Sequence, residues 1–139
     1  MHLQRYLQVR TNGKGAHELT GLIEEIVQES GVQTGLCVVT CLHTSASLVV
    51  TENADPAVRE DMLAWLERIA PEGDPSYTHT AEGPDDMPAH LRAAVSSTTE
   101  TLILADGALA FGVWQGLFLL EHRSRPHERR VLVHVHGDL

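Results

Sequence analysis

The sequence predicts a single α+β domain, residues 1–139, in which a mainly antiparallel sheet is combined with two or three helices. Three observations lead to this prediction. The length of 139 residues suits one domain and is sufficient to bury a core. Apolar residues recur with helical spacing in separate segments of the first two thirds. The final third contains extended apolar runs separated by short polar turns, which is typical of antiparallel strands.

The first part of the chain is predicted to form a strand, a helix and a second strand. Residues 2–11 alternate well enough for a strand. A helix follows over residues 20–30, with Thr20 as its N-cap and Gly31 well placed to end it. Residues 35–42 are too apolar to face water on both sides, so they are predicted to form a buried strand.

A polar segment, residues 43–47, interrupts this apolar region before residues 48–51 resume an extended pattern. A second helix is predicted to begin with Asp55 as N-cap and Pro56 at its first position. Its predicted apolar face consists of Val58, Met62, Leu63, Trp65, Leu66 and Ile69. A short third helix, capped by Asp86, is expected after the next loop.

The final third is predicted to consist of strands. Residues 98–104 and the short segment 108–111 flank the hairpin-type turn Asp106-Gly107. Residues 114–121 form a longer strand, and residues 129–136 form the closing strand after a charged turn. The chain shows no repeat or low-complexity segment.

Composition and charge exclude several classes of function. The net charge of -9 argues against a nucleic-acid-binding surface, which needs clustered positive charge. No signal peptide is visible, and no apolar run reaches the roughly 18 residues of a membrane span. Cys37 and Cys41 lie too far apart on one strand to bridge well. Reduced cysteines and a cytoplasmic location are therefore expected.

The loop over residues 77–92 is the strongest candidate for a site. It carries His79 and His90 on either side of Glu82, on backbone restricted by one glycine and two prolines. His43 ends the predicted buried strand and projects from the edge of a rigid frame. If these histidines converge, they could bind a divalent ion, with Glu82 or water at an open position. The alternative is a solvated polar loop.

Other polar residues have both a chemical and a structural interpretation. The hydroxyls of Thr44 and Ser45 suit a phosphate but equally suit a turn. Cys41 shares a strand face with His43 and is either a ligand or nucleophile or, more simply, core. Glu52 and Asp61 are acids near His43 in sequence, and Asp61 has the alternative of lying on a helix surface.

Two further groups of residues have simple structural explanations. Arg123, Arg125 and Arg129 belong to the one concentration of basic residues in an acidic chain, and guanidinium groups suit phosphate or carboxylate. A charged hairpin turn explains them equally well. His134 and His136 share one face of the last strand, where a sheet edge or a subunit interface requires no chemistry of them.

Four motifs together resemble one known family. They are His43-Thr-Ser-Ala-Ser-Leu48, Glu52-Asn-Ala-Asp-Pro56, His79-Thr-Ala-Glu-Gly-Pro-Asp-Asp-Met-Pro-Ala-His90, and Gly112-Val-Trp-Gln-Gly116 followed by Glu121-His-Arg. Their order and the chain length are similar to those of the YjbQ-like family, also called the secondary thiamine-phosphate synthase family. The resemblance covers nearly the whole chain.

The resemblance implies an α+β fold with orthogonally packed antiparallel sheets, assembly as a homotrimer, and a cleft with histidines and acids. It also implies weak thiamine-phosphate synthase activity in some members. The carried-over site candidates are His43, Thr44, Ser45, Glu52, Asn53, Asp61, His79, Glu82, His90, Trp114, Gln115 and Glu121. The chain departs from the family pattern at Ala108, Val113 and His127, which weakens the inference of an identical substrate.

Both lines of reasoning lead to one hypothesis, a metal-assisted transferase that acts on phosphorylated small molecules. A divalent ion, zinc for preference, is assigned to His43, His79 and His90. The predicted acid–base residues are Glu82, Asp61 and Glu52. The predicted substrate contacts are Thr44, Ser45, Asn53, Trp114, Gln115, Arg125 and Arg129. The alternatives are a non-catalytic trimer that binds a metal or a phosphorylated metabolite, and a metal-dependent hydrolase.

Overall fold

The computed structural model describes every residue from Met1 to Leu139. The helices are α1 (Thr20–Ser30), α2 (Pro56–Ile69) and α3 (Asp86–Val95). The strands are β1 (His2–Asn12), β2 (Gly15–Glu18), β3 (Thr34–Cys41), β4 (Ala46–Glu52), β5 (Thr99–Ala105), β6 (Ala108–Leu109), β7 (Gln115–Glu121) and β8 (Pro126–Asp138). None of the helices combines the length and apolar character needed to cross a membrane.

The strands form two sheets, and every pairing within them is antiparallel. The larger sheet has the strand order β1-β8-β3-β5-β6, and the smaller has the order β2-β7-β4. The predicted α+β class with mainly antiparallel sheet and two or three helices is therefore confirmed, and the number of helices is three.

One aliphatic core joins the two sheets. A single cluster of 18 buried residues contains Val39 and Val133 from the larger sheet and Leu48 and Leu119 from the smaller. Helix α1 adds Ile23 to the same cluster. Because both sheets bury their inner faces in a common cluster, the elements cannot fold as two independent units.

Capping and turn residues in the sequence correctly predicted several ends of helices and one turn. Asp55 caps α2, and its carboxylate accepts a hydrogen bond from the Ala57 backbone N–H at 2.9 Å, with Pro56 at the first helical position. Gly31 ends α1 in the left-handed region, at φ 72°, which favours glycine. The turn at Asp106-Gly107 is also present between β5 and β6.

Other predicted details were wrong. Thr20 is the first residue of α1 rather than its cap, because its hydroxyl accepts a hydrogen bond from the Leu117 backbone N–H at 3.0 Å. The short strand β2 was missed. On α2, only Leu66 of the predicted apolar face is buried, while Val58, Trp65 and Ile69 are exposed.

Candidate functional site

Two histidines converge on one carboxylate at the start of α3. Nε2 of His79 lies 2.7 Å from Oδ2 of Asp86, and Nε2 of His90 lies 3.0 Å from the same oxygen. His79 comes from the loop after α2, whereas Asp86 and His90 are four residues apart and share a helix face. These three residues, hereafter the histidine–aspartate cluster, place all their ligand atoms within 4.8 Å of one another.

The hydrogen bonds of His90 show which of its ring nitrogens carries a proton and which one faces Asp86. Nδ1 of His90 lies 2.9 Å from the Thr44 carbonyl oxygen, which can only accept, so Nδ1 carries a proton. The other ring nitrogen, Nε2, faces the Asp86 carboxylate. This contact requires either a second proton on Nε2 or a cation between Nε2 and the carboxylate. Two such nitrogens beside one carboxylate oxygen are a suitable environment for protons or for one divalent ion.

Arg123 fixes the acidic side of the cluster. Its Nη1 donates to Oδ1 of Asp86 at 2.7 Å, and its Nε donates to Oδ2 of Asp85 at 2.9 Å. Burial alone would raise the pKa of Asp85, but hydrogen bonds from Arg123 and Ser124 outweigh it and lower that pKa. Burial would also raise the pKa of Asp86, but its hydrogen bond with His79 helps to keep this pKa low. Both carboxylates are therefore ionised, and their two negative charges exceed the single positive charge of Arg123 by one.

Each of the paired imidazoles lines a cleft of its own. His79 lines a cleft of about 330 Å³ together with Tyr77 and Met87. His90 lines another of about 290 Å³ together with His43 and Thr44. The two imidazole rings lie 5.4 Å apart in an edge-to-face arrangement. Each cleft has one of the two rings in its wall, and the cleft beside His79 reaches the lower end of the volumes typical of small-molecule sites.

His43 does not join the histidine–aspartate cluster, contrary to the prediction. Its Nε2 accepts a hydrogen bond from the Arg130 backbone N–H at 2.7 Å, so this nitrogen has no lone pair for a metal. Burial, with the nearby charge of Arg129, lowers the pKa of His43. The residue that takes its place beside His79 and His90 is Asp86.

Arg129 forms an internal ion pair and is not available as the predicted anion contact. Its Nε donates to Oε1 of Glu121 at 2.8 Å, and Nη2 donates to Oε2 at 2.5 Å and to the Ser45 hydroxyl at 3.0 Å. Burial opposes ionisation of Glu121, but Arg129 and Thr11 outweigh it and lower its pKa. Ser45 is also committed to this buried network. Arg125 is exposed.

A second group of predicted site residues lies at the opposite end of the smaller sheet. Glu52 and Gln115 are paired at that end, whereas Ala46 and Glu121 are paired at the end near the histidines. The seven residues of β4 place these ends roughly 20 Å apart. Within one chain, the group Glu52, Asn53, Trp114 and Gln115 is therefore separate from the histidine–aspartate cluster.

The residues of this second group have structural contacts of their own. The Glu52 carboxylate accepts a hydrogen bond from the Asp55 backbone N–H at 2.8 Å and supports the turn before α2. Asn53 donates to the Gln115 carbonyl oxygen at 3.2 Å. The side-chain oxygen of Gln115 accepts from the Gly112 backbone N–H at 2.7 Å. Trp114 is 62% exposed, so its indole remains free to contact a ligand.

The remaining predicted residues are accessible. Glu82 is exposed in the loop that carries His79, and its backbone oxygen accepts from Arg123 at 3.1 Å. Asp61 is exposed on α2. Thr44 lines the cleft beside His90.

Sequence reasoning missed Asp86 and Arg123 as site residues. The spacing of Asp86 and His90 is an Asp-x-x-x-His pattern on a helix, which could have revealed one half of the cluster. It also missed a buried hydrogen-bonded chain in which the Ser96 hydroxyl donates to Ser47, and Ser47 contacts Nε2 of His122 at 2.8 Å. Nothing local signals these contacts, since they join residues from separate elements.

The cysteines have no role in the site. Cys37 and Cys41 are both free and buried. Burial raises the pKa of the Cys37 thiol to about 11, and burial also raises the pKa of Cys41. A raised pKa is the opposite of what a nucleophilic thiolate needs. Of the two interpretations of Cys41, the structure favours the core residue.

Comparison with known families and sequences gives a consistent result. The model of the family described as UPF0047 protein YjbQ-like matches residues 5–138. The UPF0047 protein sll1880 of Synechocystis is 48% identical over 136 residues, which are 98% of this chain and 92% of that protein. YjbQ of Escherichia coli O157:H7 is 34% identical over 139 residues, 99% of this chain and 100% of that protein.

Solved structures agree with these sequence matches. An uncharacterised conserved protein of the yjbq/upf0047 family from Clostridium acetobutylicum has a TM-score of 0.85 and 34% identity, and the match covers 96% of this chain and 99% of that one. A hypothetical protein from Aeropyrum pernix K1 has a TM-score of 0.90 and 26% identity, with 98% and 99% covered.

Proposed function

The chain belongs to the UPF0047 YjbQ-like family, and from this premise we propose that it is a metal-assisted transferase acting on phosphorylated small molecules. The observation that carries the proposal is the convergence of His79, Asp86 and His90 on one point. Two imidazoles and one carboxylate form a ligand set that suits zinc and other divalent transition ions, and their number leaves positions open for substrate.

The surroundings of the cluster support metal binding. The Thr44 carbonyl oxygen fixes the tautomer of His90, and Arg123 fixes the orientation of Asp86. Partners of this kind hold metal ligands in place and are expected around a functional metal site. The net negative charge of the two aspartates and Arg123 also favours a cation at this position.

The pair of clefts supports a reaction with two substrates. A hydrolase needs one organic substrate and water, whereas a transferase must hold a donor and an acceptor close to each other. The clefts beside His79 and His90 provide two volumes, about 330 and 290 Å³, and the imidazole rings that line them lie 5.4 Å apart. We therefore prefer transfer to hydrolysis.

The finer proposal is weak thiamine-phosphate synthase activity. In this reaction the C–O bond of a pyrimidine-methyl diphosphate breaks, pyrophosphate leaves with the electron pair, and the thiazole nitrogen forms the new C–N bond. A divalent ion would neutralise charge on the leaving diphosphate. Of the chain's own residues, Thr44 and Arg125 are assigned to the phosphate groups, and Glu82 and Asp61 to protonation of the departing pyrophosphate.

We also propose that the protein is a homotrimer. Helix α2 supports self-association because Val58, Trp65 and Ile69 form an exposed apolar stripe, 38%, 50% and 44% exposed. Light scattering coupled to size exclusion should then give about three times the 15.2 kDa of one chain. A monomer at micromolar concentration would exclude the trimer.

The first test of the proposed function is the metal content of tag-free protein, with a His79→Ala/His90→Ala double variant beside the wild type. We expect about one ion per chain in the wild type and a loss of that ion in the double variant, because two of its three protein ligands are gone. Absence of metal from the wild type after dialysis against zinc, nickel and manganese would refute the metal site.

The second test separates a transferase from a binding protein or a hydrolase. Metal-loaded protein is incubated with a pyrimidine-methyl diphosphate with and without a thiazole phosphate, and products are identified by mass spectrometry. A transferase forms the joined product and pyrophosphate, whereas a hydrolase consumes the diphosphate alone. Glu82→Gln should lose turnover and keep the metal. A wild type that retains metal without turnover would instead be a binding protein.

A further inference from the structure

A second group of histidines lies far along the larger sheet from the histidine–aspartate cluster. The antiparallel register of β1 and β8 places His2 directly opposite His136 and places Gln4 opposite His134. His134 and His136 are two residues apart on β8, so they share a face of the sheet. The imidazole of His2 therefore lies directly across from that of His136 and diagonally from that of His134, with ring centroids 4.4 Å and 5.7 Å apart. We call these three residues the triple-histidine cluster.

The ligand atoms of this cluster are already close. All three residues offer nitrogens within 4.8 Å of one another, and Nδ1 of His2 lies 3.1 Å from Nδ1 of His136. Only one proton fits between two imidazole nitrogens at this distance. An ion bound to nitrogens at about 2.0–2.1 Å needs nitrogen separations of this order. His2 and His136 are exposed, so no core packing opposes the small ring rotations that would bring His134 to the same ion.

The backbone under the cluster is firmly held. A Cβ added at Gly35 would lie 2.1 Å from the His136 carbonyl oxygen, which shows how closely β3 approaches β8 at this point. The Met1 carbonyl oxygen accepts from the Gly137 backbone N–H at 3.2 Å, and the amino terminus donates to the Gly137 carbonyl oxygen at 3.2 Å. These contacts fix the first residues of β1 beside the end of β8.

The side chain of Gln4 orients the imidazole ring of His134. Its side-chain amide lies 2.9 Å from Nδ1 of His134, so the ring is held by a neighbour on β1. A side-chain amide can donate or accept at this position after a simple flip, which allows His134 to present Nε2 as a neutral ligand. Outer contacts of this kind are typical of histidines that bind metals.

We propose that His2, His134 and His136 form a second metal site, which takes a borderline divalent ion such as Zn²⁺ through three imidazoles and completes its coordination with water. All-imidazole ligation suits zinc, copper and nickel and disfavours magnesium and calcium, which prefer oxygen. The site is independent of the proposed transferase, because none of its residues contacts the histidine–aspartate cluster.

The test uses Zn²⁺ alone as the probe, on the full tag-free chain at pH 7.5. The His79→Ala/His90→Ala variant serves as the parent, so that only the second site is observed. Isothermal titration is compared for this parent, for the parent with His136→Ala, and for the parent with His17→Ala. His17 is a half-buried histidine on β2 and controls for the loss of any imidazole. Circular dichroism confirms that each variant is folded.

We expect one Zn²⁺ per chain in the parent and in the His17→Ala control, and at least tenfold weaker binding after His136→Ala. Co²⁺ should give visible absorption bands that disappear in the His136→Ala protein. The proposal is overturned if the folded parent binds no Zn²⁺, or if His136→Ala leaves its affinity unchanged. Because the parent lacks the histidine–aspartate cluster, either outcome is independent of the proposed transferase function.

Discussion

The buried histidine His122 should make the protein less stable as the pH falls from 7.5 to 5. It is 2% exposed, and Nε2 is hydrogen-bonded to Ser47. Burial, together with the positive charge of Arg92, lowers the pKa of His122 from its usual 6.5 to about 4. The unfolded chain therefore binds a proton near pH 6.5, whereas the folded chain stays neutral until about pH 4. Between these values the unfolded state holds more protons, so acid favours unfolding.

The expected size of the effect follows from the two pKa values. At pH 7.5 the histidine is neutral in both states and contributes almost nothing to the pH dependence. At pH 5 it is protonated in the unfolded state only, about 1.5 units below its unfolded pKa. With about 1.36 kcal/mol per unit, the contribution is about 2 kcal/mol of stability lost. This contribution would reach its limit below the folded pKa of about 4.

The assay is urea unfolding at pH 7.5, 6 and 5 for the wild type, His122→Gln and the control His17→Gln. His122→Gln should lose about 2 kcal/mol less than the wild type over this range, whatever its absolute stability, because glutamine does not titrate. Burial also lowers the pKa of His43, but that residue is present in all three proteins and cancels in the comparison. An equal loss in the wild type and His122→Gln would refute the reasoning.

Three other changes have defined outcomes. Arg129→Met should lower the free energy of unfolding, measured in urea, by about 3–5 kcal/mol, because it leaves the Glu121 carboxylate buried without its partner; a loss below about 1 kcal/mol would contradict this. Arg123→Gln should raise the pKa of Asp85, measured by NMR titration of the carboxyl carbon, since the principal hydrogen-bond donor is removed; an unchanged pKa would show that Ser124 suffices. Asp86→Asn should weaken Zn²⁺ binding at the histidine–aspartate cluster at least tenfold in isothermal titration, and unchanged affinity would exclude the carboxylate as a ligand.

Local chemistry explains why much of the fold could be predicted. Gly31 ends α1 because of its own backbone freedom, and Asp55 caps α2 through a contact two residues away. Each signal lies within a few residues of the element that it determines. By contrast β2 has only four residues, one of them glycine, and depends on pairing with β7 across more than 90 positions. No periodicity in so short a segment could indicate it.

In the candidate site, too, residues with a local signal were predicted and residues positioned by distant contacts were missed. His79 and His90 were predicted from an unusual local composition, and they do lie together. Their third partner was assigned to His43 because this residue ends a predicted buried strand and was expected to project from the edge of a rigid frame, whereas the structure provides Asp86. The position of Asp86 depends on Arg123, which lies 37 residues later. Arg129 was predicted to contact an anion because its charge is visible in the sequence, whereas its buried ion pair with Glu121 is not.

The segment between α2 and α3 contains no helix or strand, yet it delivers His79 to the site. Its anchors are polar: the Tyr77 hydroxyl donates to the Pro71 carbonyl oxygen at 2.8 Å, and Arg123 donates to the Glu82 carbonyl oxygen at 3.1 Å. Such contacts can open without exposing the aliphatic core, so local opening costs less than global unfolding. Amide hydrogens in residues 71–85 should exchange with solvent sooner than those of the central strands. A metal ion bound at the histidine–aspartate cluster would slow this exchange. The exchange rate of the segment would therefore report whether the metal is bound.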